Sequence, residues 1–378
     1  MTTQRPPLVE ILAEIPDPRH EQGKRYPLNA MLTLVVVGVL CGYQSVRAIA
    51  EWGPNYGEEY ADRLGFNKHG YPAQASWYRV LRLVDVEVVE EKVRRWVEGV
   101  LRPDEGERLG LSIDGKTLRV SRKMGASNSH LLSAVVHGLG VVVGQWTVDD
   151  HTNEIGQMKP LLLDLALERR VVTTDGLLTQ KAVAQTIMDE GGDYVLPVKD
   201  NQPATKEAIA EWFAEEPLPY EEANRTAQRV EKGHDRLAIR RLEATTVLND
   251  YLDWEGLAQT FRLTRRFVRL STGEVQEQTV YGITSLAPDE ADAEALLTFI
   301  QQHWTIENKL HWVKDVVLDE DHCQLRKGCT HHLMALFRSL ALSLLRLNGH
   351  EHIACSLRTL AAQPDKALEL VTCPIGKR

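Results

Sequence analysis

The sequence predicts an α/β protein in which a mixed sheet is preceded by an all-helical N-terminal domain and followed by C-terminal helices. Three observations favour this class. Apolar residues recur at helical spacing up to about residue 105, and from about Gly110 short runs rich in β-branched residues replace them. Further along, strand-like and helix-like runs alternate. That alternation is typical of parallel strands joined by crossover helices.

Residues 1–105 are predicted to form a compact helical domain. Its longest apolar run, Leu28 to Tyr43, is shorter than the roughly 20 residues that a membrane-spanning helix needs, and Asn29 and Thr33 interrupt it. We interpret this run as a buried helix. The N-terminus has no apolar signal core, so we expect a cytoplasmic protein that does not bind membranes.

A mixed sheet is predicted for residues 106–200. Three adjacent, antiparallel strands should come first, followed by a helix, a strand that ends at Asp175, a second helix and a strand near Val198. Residues 201–285 contain a helix and then β-rich runs, and they read as an insertion. The remainder is predicted as a helical part of the core at 286–350 and a helical tail at 351–378.

Charge and cysteine content limit the classes of function. The formal net charge of −9 gives no support to nucleic-acid binding, which would depend on local basic clusters at 116–123, 236–241 and 262–269. Such clusters are also typical of solvated faces. The five cysteines lack a CxxC spacing, which argues against a disulfide framework, and a zinc site at Cys323 and Cys329 would match no standard finger.

Three acids occupy positions that suit a metal-dependent nuclease. Asp114 ends the first predicted strand, Asp175 ends the fourth, and Glu307 lies in a predicted helix. Ligand groups collect at the carboxyl ends of strands in an open α/β sheet, so neighbouring strand ends can bring two aspartates together. Each aspartate also precedes a glycine, and taken singly each one suits an ordinary turn.

Clustered carboxylates repel one another unless divalent metal neutralises them. Two Mg²⁺ ions about 4 Å apart, for which Mn²⁺ could substitute, would serve phosphodiester chemistry at such a site. At α-helical spacing, Glu307, Leu310, His311 and Lys314 would share one face. Lys314 could then hold a phosphate oxygen, although an ordinary salt bridge suits its spacing equally well. The nearby Trp304 could stack on a base or simply pack.

Several blocks, in order, carry a resemblance to a known family. They are "IPDPRHEQGKRYPL", "CGYQSVRAIAEW", "IDGKTLR", "TNEIGQMKPLLLDL", "VTTDGLLTQKAVAQTI", "GGDYVLPVKDNQP", "EKGHDRLAIRR", "YGITSL" and "HWTIENKLHWVKDVVLDEDHCQLRKG". Over nearly the whole chain the sequence resembles the DDE transposases of bacterial insertion sequences, in the branch of the H-repeat-associated proteins.

The resemblance implies a ribonuclease H-like mixed sheet with a β-rich insertion before the helix that bears the glutamate. It also implies that Asp114, Asp175 and Glu307 are the catalytic metal ligands, and that Lys314 is the lysine seven residues after the glutamate. The expected activity is strand cleavage at element ends and transfer of the freed 3′ hydroxyl to target DNA, with double-stranded DNA as partner and a homodimer on the DNA.

The DNA-binding residues expected from the motifs and basic clusters include two arginines of the helical domain. The full set is Arg79, Arg82, Lys116, Arg119, His234, Arg236, Arg265, Arg266, Trp304 and His311. The chain departs from the family pattern at Gln301, where an arginine is expected. That departure and the acidic net charge motivate an alternative, a domesticated relative that binds DNA without cutting it. A stand-alone metal nuclease is a third reading.

Overall fold

The computed structural model of the chain describes residues 6–66, 69–103, 106–117, 130–148, 154–214, 224–233, 235–323 and 330–375. The chain forms two compact units that are not contiguous in sequence. The first combines Met1–Asp104, Gly115–Asp150 and Ile306–Arg378, and the second combines Glu105–Asp114 and His151–Thr305. These units differ from the five consecutive segments that the sequence suggests.

The described part of the first unit is mainly helical. Its helices are α1 (Leu8–Ala13), α2 (Leu28–Leu40), α3 (Val46–Tyr56), α4 (Glu59–Leu64), α5 (Gln74–Leu81), α6 (Val86–Val100), α11 (Trp312–Val316), α12 (Thr330–Leu347), α13 (Ile353–Ala362) and α14 (Pro364–Thr372). Its strands β2 (His130–Val136) and β3 (Val142–Val148) pair antiparallel, as expected.

Helix α2 is the centre of the first unit. It is apolar on all sides, and Asn29 is its one residue that is not buried, so neighbours must cover it all round. Helices α1, α3, α12 and α14 pack against it. The prediction of a buried helix from Leu28 is therefore confirmed. In the described part of the chain, no helix combines the length and the hydrophobicity that crossing a membrane requires.

The second unit contains most of the mixed sheet. Its strands are β1 (Leu109–Thr117, of which residues up to Asp114 belong to this unit), β4 (Arg170–Thr174), β5 (Asp193–Val198), β6 (Asn224–Gly233), β7 (Arg236–Thr245), β8 (Gln259–Arg269) and β9 (Val275–Thr284). Its helices are α7 (Glu154–Asp164), α8 (Lys181–Asp189), α9 (Pro203–Ala214) and α10 (Ala293–His303).

These strands follow the order β1-β4-β5-β9-β8-β7-β6. Strands β1, β4 and β5 are parallel, with Leu109 opposite Arg170 and Val171 opposite Asp193. Helix α8 connects β4 to β5, as expected for a crossover between parallel strands. The predicted mixed α/β architecture is confirmed.

The β-rich segment predicted as an insertion forms four antiparallel strands, β6 to β9. It extends the same sheet, because β9 pairs antiparallel with β5 and places Thr284 opposite Val195. Helix α10 covers one face, where Phe261 and Leu263 join its buried Leu297 in one core. Helix α9 lies on the other face, because Arg262 points the opposite way along β8 and donates to the carbonyl of Phe213.

The helical run after Asp292 is not uniform. Asp292 caps α10 by accepting from the Ala295 amide at 2.8 Å, and α10 ends at His303. Residues Ile306–His311 are π-helical, and α11 begins at Trp312. The sequence predicted plain helical spacing here. A π-helix places more residues in each turn, so the α-helical spacings of three and seven no longer define one face, whereas a spacing of four still does.

Candidate active site

Two aspartates stand side by side at the carboxyl ends of neighbouring parallel strands. Ile113 of β1 lies opposite Thr174 of β4, and Asp114 and Asp175 follow these two residues directly. Leu111 and Ile113 of β1 and the β-branched run of β4 are buried in the sheet, and both aspartates are half-buried where the strands emerge. The sequence-based expectation that these acids meet at adjacent strand ends matches this register.

Asp175 both forms a turn and offers a carboxylate oxygen. Its Oδ1 accepts from the amides of Leu177 at 2.9 Å and Leu178 at 3.2 Å, which is the turn arrangement that an Asp-Gly pair favours. Its Oδ2 lies 3.8 Å from Nζ of Lys199, which follows β5. Gly176 leaves room for that lysine, because a Cβ there would lie 2.4 Å from Cγ of Lys199.

His303, the last residue of α10, lies close to both aspartates. Its Nδ1 is 3.0 Å from the hydroxyl of Thr173, and its carbonyl accepts from Ser112 at 3.1 Å. Burial lowers the pKa of His303, and the charges of Asp114 and Asp175 oppose that shift. We therefore expect a neutral imidazole at pH 7, held by the strand residues that precede the aspartates.

A guanidinium lies beside Gln301, the position where the family pattern has arginine. Arg229 of β6 donates to the Gln301 side-chain oxygen and to Glu294, and also to the Thr298 hydroxyl at 3.0 Å. Gln301 in turn donates to Glu231 at 3.2 Å. A cation is thus present at this point of the fold, although it comes from a strand and not from α10.

The predicted third acid lies in the π-helical segment of the first unit. Glu307 is exposed, whereas Leu310 and His311 are buried. His311, expected to contact DNA, is only 5% exposed. The ligand atoms of Glu307 and His311 lie within 4.8 Å of each other, so these two residues share one side of the π-helical turn, as expected from their spacing of four.

Lys314 lies in the interior of the first unit. Its Nζ is 3.0 Å from Oε1 of Glu320 and donates to the hydroxyl of Ser339 at 3.2 Å. Lys116, also expected to contact DNA, lies 3.2 Å from Oε2 of the same Glu320 and pairs with Asp315. The ammonium groups of both lysines are thus paired with carboxylates of the chain, and not placed as the phosphate contacts that the sequence suggested. The salt-bridge alternative for Lys314 is the arrangement found.

Burial and charge set the ionisation of this Glu320 network. Burial lowers the pKa of Lys314, and Glu320 opposes that shift. Burial alone would raise the pKa of Glu320, but Lys314, Lys116 and Arg338 outweigh it, so that the pKa is lowered. The carboxylate stays ionised and links three parts of this unit, namely the end of β1 after Asp114, α11 and α12.

The remaining predicted DNA contacts vary in exposure. Arg79, Arg82, Arg236, Arg266 and Trp304 are exposed, and Arg265 is half-buried. Arg119 and His234 lie outside the described residues. Cys323 belongs to no group of three metal-ligating side chains among the described residues, and Cys329 lies outside them.

Lys199 and Arg240 are not among the site residues predicted from the sequence. The position of Lys199 could have been predicted from the sequence, because Lys199 follows the third parallel strand just as Asp175 follows the second. Arg240 belongs to a basic run, but its neighbours across the sheet are set by strand register. Both lie in the second unit with the two aspartates.

The donor set at the two strand ends suits a hard divalent cation. Asp114 and Asp175 offer carboxylate oxygens, and the His303 Nδ1 is engaged with Thr173. Mg²⁺ prefers oxygen ligands of this kind, often one or two carboxylates together with substrate phosphates.

Comparison with known proteins shows which family the chain resembles. Residues 9–97 match a family described as DDE_Tnp_1-associated, and residues 105–344 match the family described as Transposase DDE domain. YbfL of Escherichia coli K12 is 31% identical over 347 residues, covering 89% of this chain and 90% of that protein. The "H repeat-associated putative transposase YhhI" of the same strain is 30% identical with the same coverage.

Among solved structures, the piggyBac transposase in a synaptic complex with hairpin DNA resembles the chain with a TM-score of 0.42 and 11% identity. That match covers 96% of this chain and 76% of the other, and a likeness of this size supports no conclusion. The family matches confirm the resemblance inferred from the ordered motifs. The chain belongs to the transposase DDE domain family.

Proposed function

We propose that this chain is a DNA transposase that cuts DNA at the ends of its element and joins the freed 3′ hydroxyl to target DNA. The observation that carries the proposal is the register of β1 with β4, which sets Asp114 beside Asp175. The parallel strands β1, β4 and β5, with helices packed on the sheet, suit a ribonuclease H-like core. Family membership supports the same class of chemistry.

Glu307 is proposed as the third acid. It is the glutamate of the block "HWTIEN", which lies within residues 105–344 that match the transposase DDE domain family. Its side chain is exposed, so the carboxylate is available to a metal ion. The π-helical backbone around Glu307 adds support, because such segments occur frequently at functional sites.

Asp114, Asp175 and Glu307 would hold two Mg²⁺ ions, with Mn²⁺ as a substitute. When bound, the metals would activate the attacking oxygen and stabilise the leaving oxygen of a phosphodiester. The chain orients its own ligands. The amides of Leu177 and Leu178 fix the Asp175 carboxylate, and Lys199 holds positive charge beside it. The neutral His303, whose Nδ1 is engaged with Thr173, adds no positive charge beside the aspartates.

The proposed partners are double-stranded DNA of the terminal inverted repeats and of the target. Arg79 and Arg82, exposed on and just after α5, would contact the repeats from the helical domain. Transposition brings two ends together, so we propose a homodimer on DNA. It would act in the bacterial cytoplasm, in association with the nucleoid.

The test is a cleavage assay on duplex DNA that carries the flanking repeats. We expect Mg²⁺-dependent nicking by the native chain, none in EDTA, and a loss on the order of 10³-fold in Asp114→Asn, Asp175→Asn and Glu307→Gln. Asp189→Asn, at the exposed end of α8, is the matched control and should cut normally.

Three results would contradict the assignment in different ways. Cleavage that survives in any of the three acid variants would remove that acid from the site. Specific binding without cutting in Mg²⁺ or Mn²⁺ would favour the domesticated relative, the reading that Gln301 motivates. Cutting that ignores the repeats would favour a stand-alone nuclease.

A further inference from the structure

The strands β6 to β9 carry arginines on both faces, and strand register sorts them. Directly paired residues of antiparallel strands share a face. Arg240 pairs with Arg265, and Ala238 pairs with Phe267. Arg236 lies two residues before Ala238 on β7 and therefore points the same way. We call this side, which is also the side of Phe261, Leu263 and α10, the α10 face.

The opposite side, the α9 face, carries the neighbouring arginines. Ile239 pairs with Arg266, Arg241 with Thr264 and Glu243 with Arg262. Arg265 and Arg266 are adjacent in the sequence and were expected to act together. The sheet points them in opposite directions.

Two cations of the α9 face, Arg262 and Arg241, have structural partners. Arg262 donates to Glu243 at 2.9 and 2.7 Å, and its guanidinium lies 5.0 Å from the Phe213 ring centroid of α9. Arg241 donates to the same Glu243 at 3.1 Å. These contacts neutralise much of the charge of Arg262 and Arg241 and fasten α9 to the sheet, so these two arginines are explained without a ligand.

The α10 face differs because its innermost arginine has no acidic partner. Arg265 is half-buried, and no described residue forms an ion pair or a hydrogen bond with its guanidinium. It lies close enough to His303 to influence that ring's ionisation, as do Asp114 and Asp175. A partly desolvated cation beside the candidate active site favours an anion from outside the chain.

Arg240, which pairs with Arg265, and Arg236, at the start of β7, are two more arginines of the α10 face. Arg240 is 2.6 Å from Glu231, and the Arg236 guanidinium lies over the Phe267 ring at 3.6 Å from its centroid. Phe267 thereby holds Arg236 against the sheet. Arg240 lies four positions after Arg236 along β7, a distance of about 13 Å, which is the length of roughly four nucleotides along one DNA strand.

We propose that the duplex next to the cleavage point lies on the α10 face, where Arg265 and Arg240 contact backbone phosphates at one point and Arg236 contacts a phosphate about four nucleotides further along. The α9 face, including Arg241 and Arg266, does not touch DNA. The inference rests on the proposed function, since it takes DNA to be the substrate. Beyond that function, the inference specifies the side of the sheet on which the DNA lies.

The experiment compares two matched double variants, Arg236→Gln with Arg265→Gln on the α10 face, and Arg241→Gln with Arg266→Gln on the α9 face. Affinity for end-bearing duplex is measured by fluorescence anisotropy over a range of NaCl concentrations in EDTA, so that no DNA is cut. Each phosphate contact contributes about 0.9 to the slope of log affinity against log salt. The α10-face pair should lower the slope by about 1.8, and the α9-face pair should leave it unchanged.

Equal slopes for the two pairs, or a larger fall in the α9-face pair, would overturn the inference. Circular dichroism melting separates misfolding from lost contacts, and an Arg265→Lys variant, which keeps the charge, should retain most of the slope. If the native chain neither binds nor cuts the duplex, the proposed function fails and the inference falls with it. If the native chain cuts in an Asp114-dependent way but both pairs behave alike, only the choice of face is wrong.

Discussion

Ile113 and Thr174 lie opposite each other in the parallel pairing of β1 with β4, and an aspartate follows each of them. Without a cation the two carboxylates repel, so metal binding and folding should be coupled. At a Mg²⁺ concentration about 100 times its Kd, binding should stabilise the native chain by roughly 2.7 kcal/mol, because only the folded state presents the site. Differential scanning fluorimetry with and without Mg²⁺ measures this directly.

In Asp114→Asn the same titration should give little or no stabilisation, while the metal-free variant should melt no lower than the native chain, since one of two repelling charges is gone. Asp189→Asn should respond to Mg²⁺ as the native chain does. A full Mg²⁺ response in Asp114→Asn would show that the metal binds elsewhere.

The Glu320 network gives a second prediction. Glu320→Gln should lower the free energy of unfolding by about 3 to 5 kcal/mol, because it leaves Lys314 charged and buried without its partner. The double variant Glu320→Gln with Lys314→Met should recover part of that loss. Urea unfolding of the two single variants and the double variant measures the coupling.

Lys181→Met is the matched control for Lys314, because its ammonium is paired with Asp253 at the surface. It should change stability by less than about 1 kcal/mol. A Lys314→Met variant that is fully stable but fails to cut DNA would restore Lys314 as a phosphate contact and contradict the structural role.

Gly282 gives a third prediction. A Cβ at this position in β9 would lie 2.1 Å from the Phe261 ring and 2.7 Å from the carbonyl oxygen of Leu196, and backbone cannot move aside cheaply. Gly282→Ala should therefore destabilise the chain by about 1 to 3 kcal/mol or more through overpacking.

Gly233→Ala is its control, since a Cβ there meets nothing within 4 Å at the end of β6. Chemical denaturation of both variants tests the contrast. Similar stability of the two would mean that β5 and β9 are not packed as closely as their register implies.

Asp17 predicts a pH dependence. Hydrogen bonds from Arg19 lower the pKa of Asp17 below its usual 3.8, and its Oδ1 lies 2.8 Å from Nε of Arg19. A lowered carboxyl pKa stabilises the fold above the unfolded pKa, and this stability is lost as the pH falls through the folded pKa. Asp17→Asn should cost about 1 to 2 kcal/mol at pH 7 and progressively less below about pH 4.

Unfolding curves of the native chain and Asp17→Asn between pH 7 and pH 3 check this. Glu21→Gln, which removes an exposed partner of Lys24, should show no such trend. A constant difference between the native chain and Asp17→Asn across this range would contradict the assigned cause.

Local pattern was enough to predict most of the elements. The run "RRVVTTD" is short, apolar and β-branched, and it forms β4 with Asp175 directly after it. The apolar stretch from Leu28 forms a buried helix because no side of it is polar. In both cases the deciding property lies within the segment itself, so a single sequence carries it.

The remaining features depend on partners that are distant in the chain. Lys314 binds Glu320 and Ser339 in the interior, and no spacing rule on its own helix distinguishes that from a phosphate contact. Period-two alternation could have separated Arg265 from Arg266. Which of them meets α10 depends on how the helix packs, and that cannot be read from β8 alone.

The π-helical segment has a consequence for how this stretch tolerates insertions and deletions. Each residue of an α-helix turns the chain by about 100°, so losing one residue between Glu307 and Lys314 would rotate the two against each other by about that angle. The Glu307 carboxylate could then no longer be exposed while the Lys314 ammonium stays buried beside Glu320. Point substitutions here exchange one side chain, whereas a single-codon deletion would misdirect every residue that follows it up to Val316.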